Sequence, residues 1–154
     1  MKTYTQEQIN PSLPGVILMS HGPFAVSLVE TAQMLLGDIE NLAALSLDPG
    51  DDLDEWRATF AAAYEALPAG TVILADLYGG TPFNQVMRYV LETGKPVSLM
   101  VGMSLPMLIE ALQDRDSMSG AELADAAVEG AKMSTSRVDT EAFLSEADDE
   151  DDED

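Results

Sequence analysis

The stretch that decides the fold is GVILMSHGPF, residues 15–24. Its first five residues form an uninterrupted apolar run, which is typical of a parallel strand covered by helices on both faces. The chain's only histidine, His21, comes next, between a serine and a Gly-Pro pair. Apolar residues then recur at helical spacing over residues 23–36. The stretch therefore predicts a strand that turns into a helix, with His21 in the turn.

Three more apolar runs follow the first, and helical patterns separate them. The four runs span residues 15–20, 41–47, 71–76 and 97–102. The helical patterns span residues 23–36, 52–67, 82–93, 105–114 and 120–132. Because strands that alternate with helices favour right-handed crossovers, we expect an α/β fold with an open, mainly parallel central sheet and helices on both faces. Numbered along the chain, the expected strand order is 2-1-3-4, and residues 131–138 are a possible C-terminal edge strand.

The chain is expected to form one domain with two dissimilar ends. Residues 1–14 lack periodicity and predict a flexible N-terminal arm, and residues 15–138 contain all the predicted strands and helices. Residues 139–154 carry ten acidic residues and no Lys or Arg, which is typical of a disordered acidic tail.

Charge and composition narrow the classes of function. The 154 residues carry a formal net charge of −21 and include no cysteine, which excludes disulfides, zinc–thiolate sites and thiol catalysis. An acidic surface argues against nucleic acid as a partner, because phosphates require basic patches, and suits a basic protein partner. No apolar run approaches the ~20 residues of a membrane span, and no signal peptide is evident. We therefore expect a cytoplasmic protein without membrane insertion.

Two of the predicted strands end in loops that suit an anion. In open α/β sheets, ligands bind beyond the carboxyl ends of the strands, where residues 19–24 (MSHGPF) and 76–83 (DLYGGTPF) lie. Each loop ends in Pro-Phe as a helix begins, and proline suits the first helical turn. Thr81 is a good N-cap candidate, and the glycine pair before it lets backbone approach a ligand closely. Two helix N-termini would then present free N–H groups to one crevice.

His21 and Asp76 would meet in that crevice, because the first and third runs are neighbours in a 2-1-3-4 order. A carboxylate bonded to one imidazole nitrogen fixes the tautomer and leaves the other nitrogen a nucleophile. It would also stabilise the positive ring that forms when that nitrogen takes a phosphoryl group. These residues predict a phosphohistidine site. A structural histidine, an aspartate that caps a turn and a simple Gly-Gly-Thr-Pro turn remain the alternatives.

Other chemistries have weaker support in the sequence. There is no Gly-x-x-x-x-Gly-Lys-[Ser/Thr] loop, and one histidine cannot form an imidazole-rich metal site. Ser104 in GMSLP (residues 102–106) resembles an esterase elbow, but the final glycine is missing, so Ser104 is expected to cap the next helix. A hydrolase built on Ser104 and His21 stays open as a third interpretation. We expect neither a metal nor a cofactor.

Three motifs in order resemble those of enzyme IIA of the mannose class, from the bacterial phosphoenolpyruvate-dependent sugar phosphotransferase system. They are GVILMSHGPFAVSLVETAQMLLG, DLYGGTPFNQVMRYV and LPMLIEAL, and the likeness covers roughly residues 15–133. The resemblance implies that His21 accepts a phosphoryl group from the histidine phosphocarrier protein and passes it to a IIB component. From IIB the group would pass to sugar that enters through a membrane IIC–IID complex, which is therefore only an indirect partner.

The resemblance also implies roles for the neighbouring residues. Asp76 is the partner of His21, and Gly80 and Thr81 lie beside the phosphate. We add Gly22 to the phosphate-binding set and assign Ser20 and Ser104 to loops near a partner; Ser104 stands where the family commonly has Asn. The family forms homodimers through an exchanged C-terminal strand, which would be residues 131–138. A dihydroxyacetone kinase-type phosphotransfer subunit and a regulatory module of the same fold are the alternatives.

Overall fold

A computed structural model describes residues 1–152. Its strands are β1 (Thr3–Tyr4), β2 (Val16–His21), β3 (Leu42–Leu47), β4 (Val72–Ala75) and β5 (Ser98–Val101). Its helices are α1 (Phe24–Leu36), α2 (Leu53–Ala66), α3 (Thr81–Thr93), α4 (Leu105–Asp114), α5 (Gly120–Met133) and α6 (Thr140–Asp152). The alternation of strands and helices that the sequence predicts is therefore confirmed.

The five strands form one sheet in the order β1-β3-β2-β4-β5. The neighbours β3-β2, β2-β4 and β4-β5 are parallel, and β1 pairs antiparallel with β3. This arrangement confirms the predicted 2-1-3-4 order of the four apolar runs. The central position of β2 brings its carboxyl end, and with it His21, between the ends of β3 and β4.

Helices cover both faces of the sheet because successive side chains of a strand point to opposite faces. On one face, Val16 and Leu18 pack with residues of α1, α4 and α5. On the other, Ile17 and Met19 pack with residues of α2 and α3, including the fully buried Trp56. All four strand residues are fully buried. β2 is thus packed on both faces. This packing fixes the position of its last residue, His21, which is exposed at the edge of the core.

The prediction of a possible C-terminal edge strand at residues 131–138 is wrong. Helix α5 continues to Met133, and residues 134–139 have no regular structure. Ala131 is in the core with 8% exposure, so the helix has a buried anchor at this point. The Thr135 hydroxyl donates to the Ala131 carbonyl at 3.0 Å and the Ser134 hydroxyl to the Gly130 carbonyl at 2.8 Å. These bonds satisfy carbonyls at the end of the helix and favour a helix end over a strand.

The edge strand comes instead from the N-terminal segment, so residues 1–14 are not simply a flexible arm. Thr3 and Tyr4 pair with Leu45 and Ala44. Farther along, the buried Asn41 accepts a hydrogen bond from the Asn10 backbone N–H at 2.9 Å and donates to the carbonyls of Asn10 and Leu13. Such contacts join residues that are 28 to 42 positions apart, and periodicity within a short segment does not reveal them.

The acidic tail also differs from the prediction of disorder, because residues 140–152 form helix α6; residues 153 and 154 lie outside the described residues. The Asp139 side chain accepts a hydrogen bond from the Ala142 N–H at 3.1 Å, as an N-cap does. No residue of α6 is buried. The helix therefore has no tertiary contact that buries a side chain.

Candidate functional site

The structure brings His21 and Asp76 together at the carboxyl ends of β2 and β4. Asp76 follows Ala75, the last residue of β4, and its N–H donates to the Met19 carbonyl at 3.2 Å. The Oδ2 atom of Asp76 lies 2.9 Å from the His21 Nδ1 atom, and it also accepts the His21 backbone N–H at 2.9 Å. Because a carboxylate only accepts, Nδ1 carries the proton in this contact. The predicted meeting of these two side chains is thus observed.

This contact leaves the second imidazole nitrogen, Nε2, available. The His21 side chain is 47% exposed, whereas that of Asp76 is only 15% exposed. The other Asp76 oxygen, Oδ1, is buried and has no hydrogen-bond partner among the described residues. The carboxylate therefore directs its hydrogen bonding to His21. A neutral imidazole with a protonated Nδ1 presents a lone pair on Nε2, which is the nucleophilic form of the ring.

Gly80 lies directly against the imidazole ring. A Cβ atom built on Gly80 would be 2.6 Å from the His21 Cε1 atom and 3.4 Å from Nε2. Gly80 is the N-cap of α3, with φ −70° and ψ 168°. The predicted cap, Thr81, is wrong by one residue: the Asn84 N–H donates to the Gly80 carbonyl at 2.9 Å, which starts the helix at Thr81.

The first turn of α3 supplies donors for an anion next to His21. Pro82 has no N–H, and the N–H groups of Thr81 and Phe83 have no intrahelical acceptor at these positions. No side chain caps α3. The positive end of the helix dipole is therefore available to a negative group, as at many phosphate-binding helix N-termini.

Gly22 and Ser20 have roles other than those assigned from sequence. The Gly22 N–H donates to the Leu47 carbonyl at 2.8 Å, so it is not available to a phosphate. Gly22 instead provides the positive φ of 58° that the turn into α1 requires. Ser20 is fully buried in β2, and its Oγ accepts the Ala25 N–H at 2.7 Å. It therefore stabilises the start of α1, and it lies in a strand and not in a loop.

Ser104 caps α4, as the sequence predicts. Its side chain accepts the Met107 N–H at 3.2 Å, and its backbone is extended, as is usual for an N-cap. The His21 Nδ1 atom contacts Asp76, and no hydrogen bond joins Ser104 to His21 within residues 1–152. The geometry of a Ser-His-Asp hydrolase is not present.

An exposed apolar rim, which the sequence did not reveal, flanks the site. It consists of Phe24, 43% exposed, Leu77, 60% exposed, and Tyr78, 74% exposed. The Tyr78 ring packs on that of Phe83, with 4.8 Å between centroids. The loops that contain these residues, 21–24 and 76–80, include no Lys or Arg. A clue was present in sequence, since Leu77 directly follows Asp76 and Phe24 lies three residues after His21, near strand ends where polar residues are usual.

Several cavities lie away from His21 and Asp76. One of about 520 Å³ is lined by residues of the N-terminal segment and of the α1–β3 connection, including Tyr4, Gln33 and Glu40. His21 and Asp76 line neither this cavity nor four others of about 280–410 Å³ among the described residues. Residues 1–152 contain no group of three His, Cys, Asp or Glu side chains placed to hold a metal ion, and no helix with the length and apolar character of a membrane span. With 47% of the His21 side chain exposed, the site is open to solvent.

Comparison with known proteins gives consistent matches. The family EIIA-man, described as "PTS system fructose IIA component", matches residues 15–128. The chain is 34% identical over 103 residues to the "PTS system mannose-specific EIIAB component" of Escherichia coli (strain K12), covering 66% of this chain and 32% of that protein. It is 31% identical over 109 residues to the "PTS system sorbose-specific EIIA component" of Lacticaseibacillus casei, covering 70% and 78% of the two chains.

A solved structure has the same fold. The "Mannose/sorbose specific IIA subunit of phosphotransferase system from Enterococcus faecalis" superposes with a TM-score of 0.71 at 32% identity, covering 82% of this chain and 96% of that one. This chain spans about a third of the E. coli relative's length, at 32%, but most of the length of the other two proteins. Because the family match over residues 15–128 covers well over half of the sequence, the chain belongs to the EIIA-man family of phosphotransferase system IIA components.

Proposed function

We propose that this protein is a phosphocarrier of the phosphoenolpyruvate-dependent sugar phosphotransferase system. His21 accepts a phosphoryl group from the phosphohistidine of the histidine phosphocarrier protein and passes it to a histidine of a IIB component. Sugar enters through a membrane IIC–IID complex, and this protein works in the cytoplasm. The observation that carries the proposal is the 2.9 Å contact of His21 Nδ1 with Asp76, which leaves Nε2 free.

The transfer step follows from this geometry. The Nε2 lone pair of His21 attacks phosphorus as the bond from phosphorus to the donor's imidazole nitrogen breaks, and the donor takes back that electron pair. His21 keeps its proton on Nδ1, so the phosphorylated ring is positive and the Asp76 carboxylate stabilises it. The reverse sequence delivers the group to the IIB histidine.

The first turn of α3 would hold the phosphoryl oxygens. The N–H groups of Thr81 and Phe83 and the Thr81 hydroxyl are the available donors, and the positive end of the helix dipole adds attraction. Gly22 and Gly80 contribute differently, since the N–H of each already donates to a backbone carbonyl. Phosphate binding at this site therefore relies on α3.

Proteins are the partners that this surface suits. Small-molecule sites usually enclose their ligand in a cavity, whereas His21 is 47% exposed on an open surface with an apolar rim. The two site loops lack cations, so a basic partner would supply positive charge to the phosphoryl group as it approaches. The net charge of −21 would steer such a partner toward this protein.

A homodimer is part of the proposal, on the strength of the family resemblance alone. The segment expected to be exchanged, 131–138, is not a strand here, so a dimer would need another contact or a rearrangement of this segment. Sedimentation equilibrium of the full chain would give the oligomeric state. A mass of one chain at all concentrations would contradict the dimer and leave the phosphotransfer proposal intact.

The test of function is phosphorylation by phosphoenolpyruvate, enzyme I and the histidine phosphocarrier protein. We expect a gain of one acid-labile phosphoryl group by intact-mass analysis, and its loss in His21→Ala. Because His21 is the only histidine, no other imidazole can replace it. Ser104→Ala is the control, because the Ser104 side chain bonds to the Met107 N–H and not to His21. This variant should still be phosphorylated. A phosphoryl group on His21→Ala would contradict the proposal. So would the absence of a phosphoryl group on the unaltered protein when the donor proteins are active.

A further inference from the structure

We propose that Gly80 positions the His21 ring: the site requires a residue without a side chain at position 80 because the imidazole occupies that space. This inference deepens the proposed function and rests on it for its effect on transfer rate. It assigns Gly80 a role separate from phosphate binding. Gly80 is a positioning residue, since it acts through His21.

The contact distances establish the lack of space. A Cβ on Gly80 would be 2.6 Å from the His21 Cε1 atom, well inside the separation that two carbon atoms tolerate. The same Cβ would be 3.4 Å from Nε2 and 3.4 Å from the Leu77 carbonyl oxygen. The overlap falls on the ring edge between the two nitrogens. A side chain on Gly80 would therefore displace the ring that carries the nucleophile.

Backbone conformation does not explain the glycine. Its φ of −70° and ψ of 168° are open to every residue type. Gly79, the residue before it, is different, because its φ of 74° does favour glycine. The two members of the glycine pair thus serve different purposes. Gly79 allows the turn, and Gly80 leaves room for the ring.

The position of Gly80 at the start of α3 gives a second reason for a residue without a side chain. Gly80 is the N-cap of α3, a position at which Ser, Thr, Asp, Asn and Gly are all preferred, but only the first four have side chains that accept first-turn N–H groups. A capping side chain at position 80 would occupy the ring's space and would also take donors that a phosphoryl group needs. Glycine avoids both effects.

The ring is thereby held on two sides. Asp76 Oδ2 contacts Nδ1 at 2.9 Å, and the Gly80 backbone lies against the Cε1 edge. An added methyl group would rotate the ring about its side-chain torsions, which weakens the Nδ1 contact and turns Nε2 away from the first turn of α3. Since a misplacement of about 1 Å can slow a reaction by about 100-fold, we expect Gly80→Ala to transfer the phosphoryl group about 10- to 100-fold more slowly.

The experiment compares Gly80→Ala with Gly15→Ala. Gly15 precedes the other end of β2, and a Cβ there would be 2.7 Å from Leu67 Cδ1, a similar overlap far from His21. The first measurement is the NMR signal of the His21 Cε1–H and ring nitrogens in the unphosphorylated proteins, which is unambiguous because the chain has one histidine. The second is the rate of phosphoryl transfer from the histidine phosphocarrier protein, separated into maximal rate and KM.

We expect Gly80→Ala to shift the His21 ring signals and to lower the maximal rate with little change in KM, while Gly15→Ala does neither. Superimposable His21 signals in Gly80→Ala and the unaltered protein would overturn the inference, as would shifted signals with an unaltered rate. Should Gly80→Ala fold poorly, Gly80→Ser provides a second variant with an added Cβ. The ring signals are measured in the unphosphorylated proteins, so they decide the ring's position even if the proposed function fails.

Discussion

A single oxygen of Asp76, Oδ2, accepts both the backbone N–H and the Nδ1–H of His21, each at 2.9 Å. The backbone bond ties the end of β2 to the loop after β4, and the side-chain bond orients the imidazole. The two bonds together fix the ring relative to the sheet. This explains how an exposed side chain, at 47% exposure, can have a defined direction for Nε2.

Asp76→Asn separates the charge of this residue from its shape. The Asn carbonyl oxygen can still accept from His21, but it cannot offset the positive charge of the phosphorylated ring. We therefore expect phosphoryl transfer to slow by about 10- to 100-fold without disappearing, as for other groups that orient a functional histidine. Single-turnover transfer from the phosphorylated histidine phosphocarrier protein measures this. An unaltered rate would mean that orientation alone matters.

Ser104→Ala tests the cap of α4. Loss of the 3.2 Å bond to the Met107 N–H should lower the free energy of unfolding by about 1 kcal/mol, while phosphoryl transfer is unaffected. Urea unfolding followed by the fluorescence of Trp56, the only tryptophan, gives the stability. A drop in transfer rate with unaltered stability would instead place Ser104 at the site.

Sequence alone predicted the sheet order and the meeting of His21 with Asp76, because apolar runs and strand ends are local patterns that topology then brings together. It missed features that depend on contacts between distant residues. The N-terminal edge strand pairs with β3, and the role of Gly80 depends on where the His21 ring lies. The predicted N-cap of α3, Thr81, is one residue away from the observed cap, Gly80. Both residue types are acceptable caps, and only the hydrogen bond from the Asn84 N–H to the Gly80 carbonyl distinguishes them.

Removal of residues 139–154 should leave the stability of the domain unaltered. No residue of α6 is buried, and the helix carries seven acidic residues and no basic one between Thr140 and Asp152. Its tertiary contribution is therefore close to zero, and we expect a change in the free energy of unfolding below about 0.5 kcal/mol. Urea unfolding of the full and shortened chains is the measurement. A clear loss of stability would show that α6 packs on the domain in solution.

Tyr89 should make the free energy of unfolding fall at alkaline pH. It is 3% exposed, and its hydroxyl donates to Glu65 Oε1 at 3.1 Å. Burial, and then the Glu65 contact, raise the pKa of Tyr89 above its ordinary value of 10.0. The unfolded chain consequently ionises first as the pH rises. The stabilisation is fully present below a pH of about 10 and is lost as the pH passes through the raised folded-state pKa.

Tyr89→Phe removes this sensitivity along with one hydrogen bond. At neutral pH the lost hydrogen bond should make the variant less stable by about 1 kcal/mol. The loss stays this small because Glu65 is exposed and can bind water in place of the hydroxyl. Between pH values of about 10 and 11 its free energy of unfolding should fall less steeply than that of the unaltered protein. Tyr78→Phe, at a tyrosine with 74% exposure, is the matched control and should keep the original slope. Burial raises the pKa of Tyr64 as well, so the slope should shrink in Tyr89→Phe without vanishing. Parallel curves for Tyr89→Phe and the unaltered protein would contradict the assignment of alkaline instability to Tyr89.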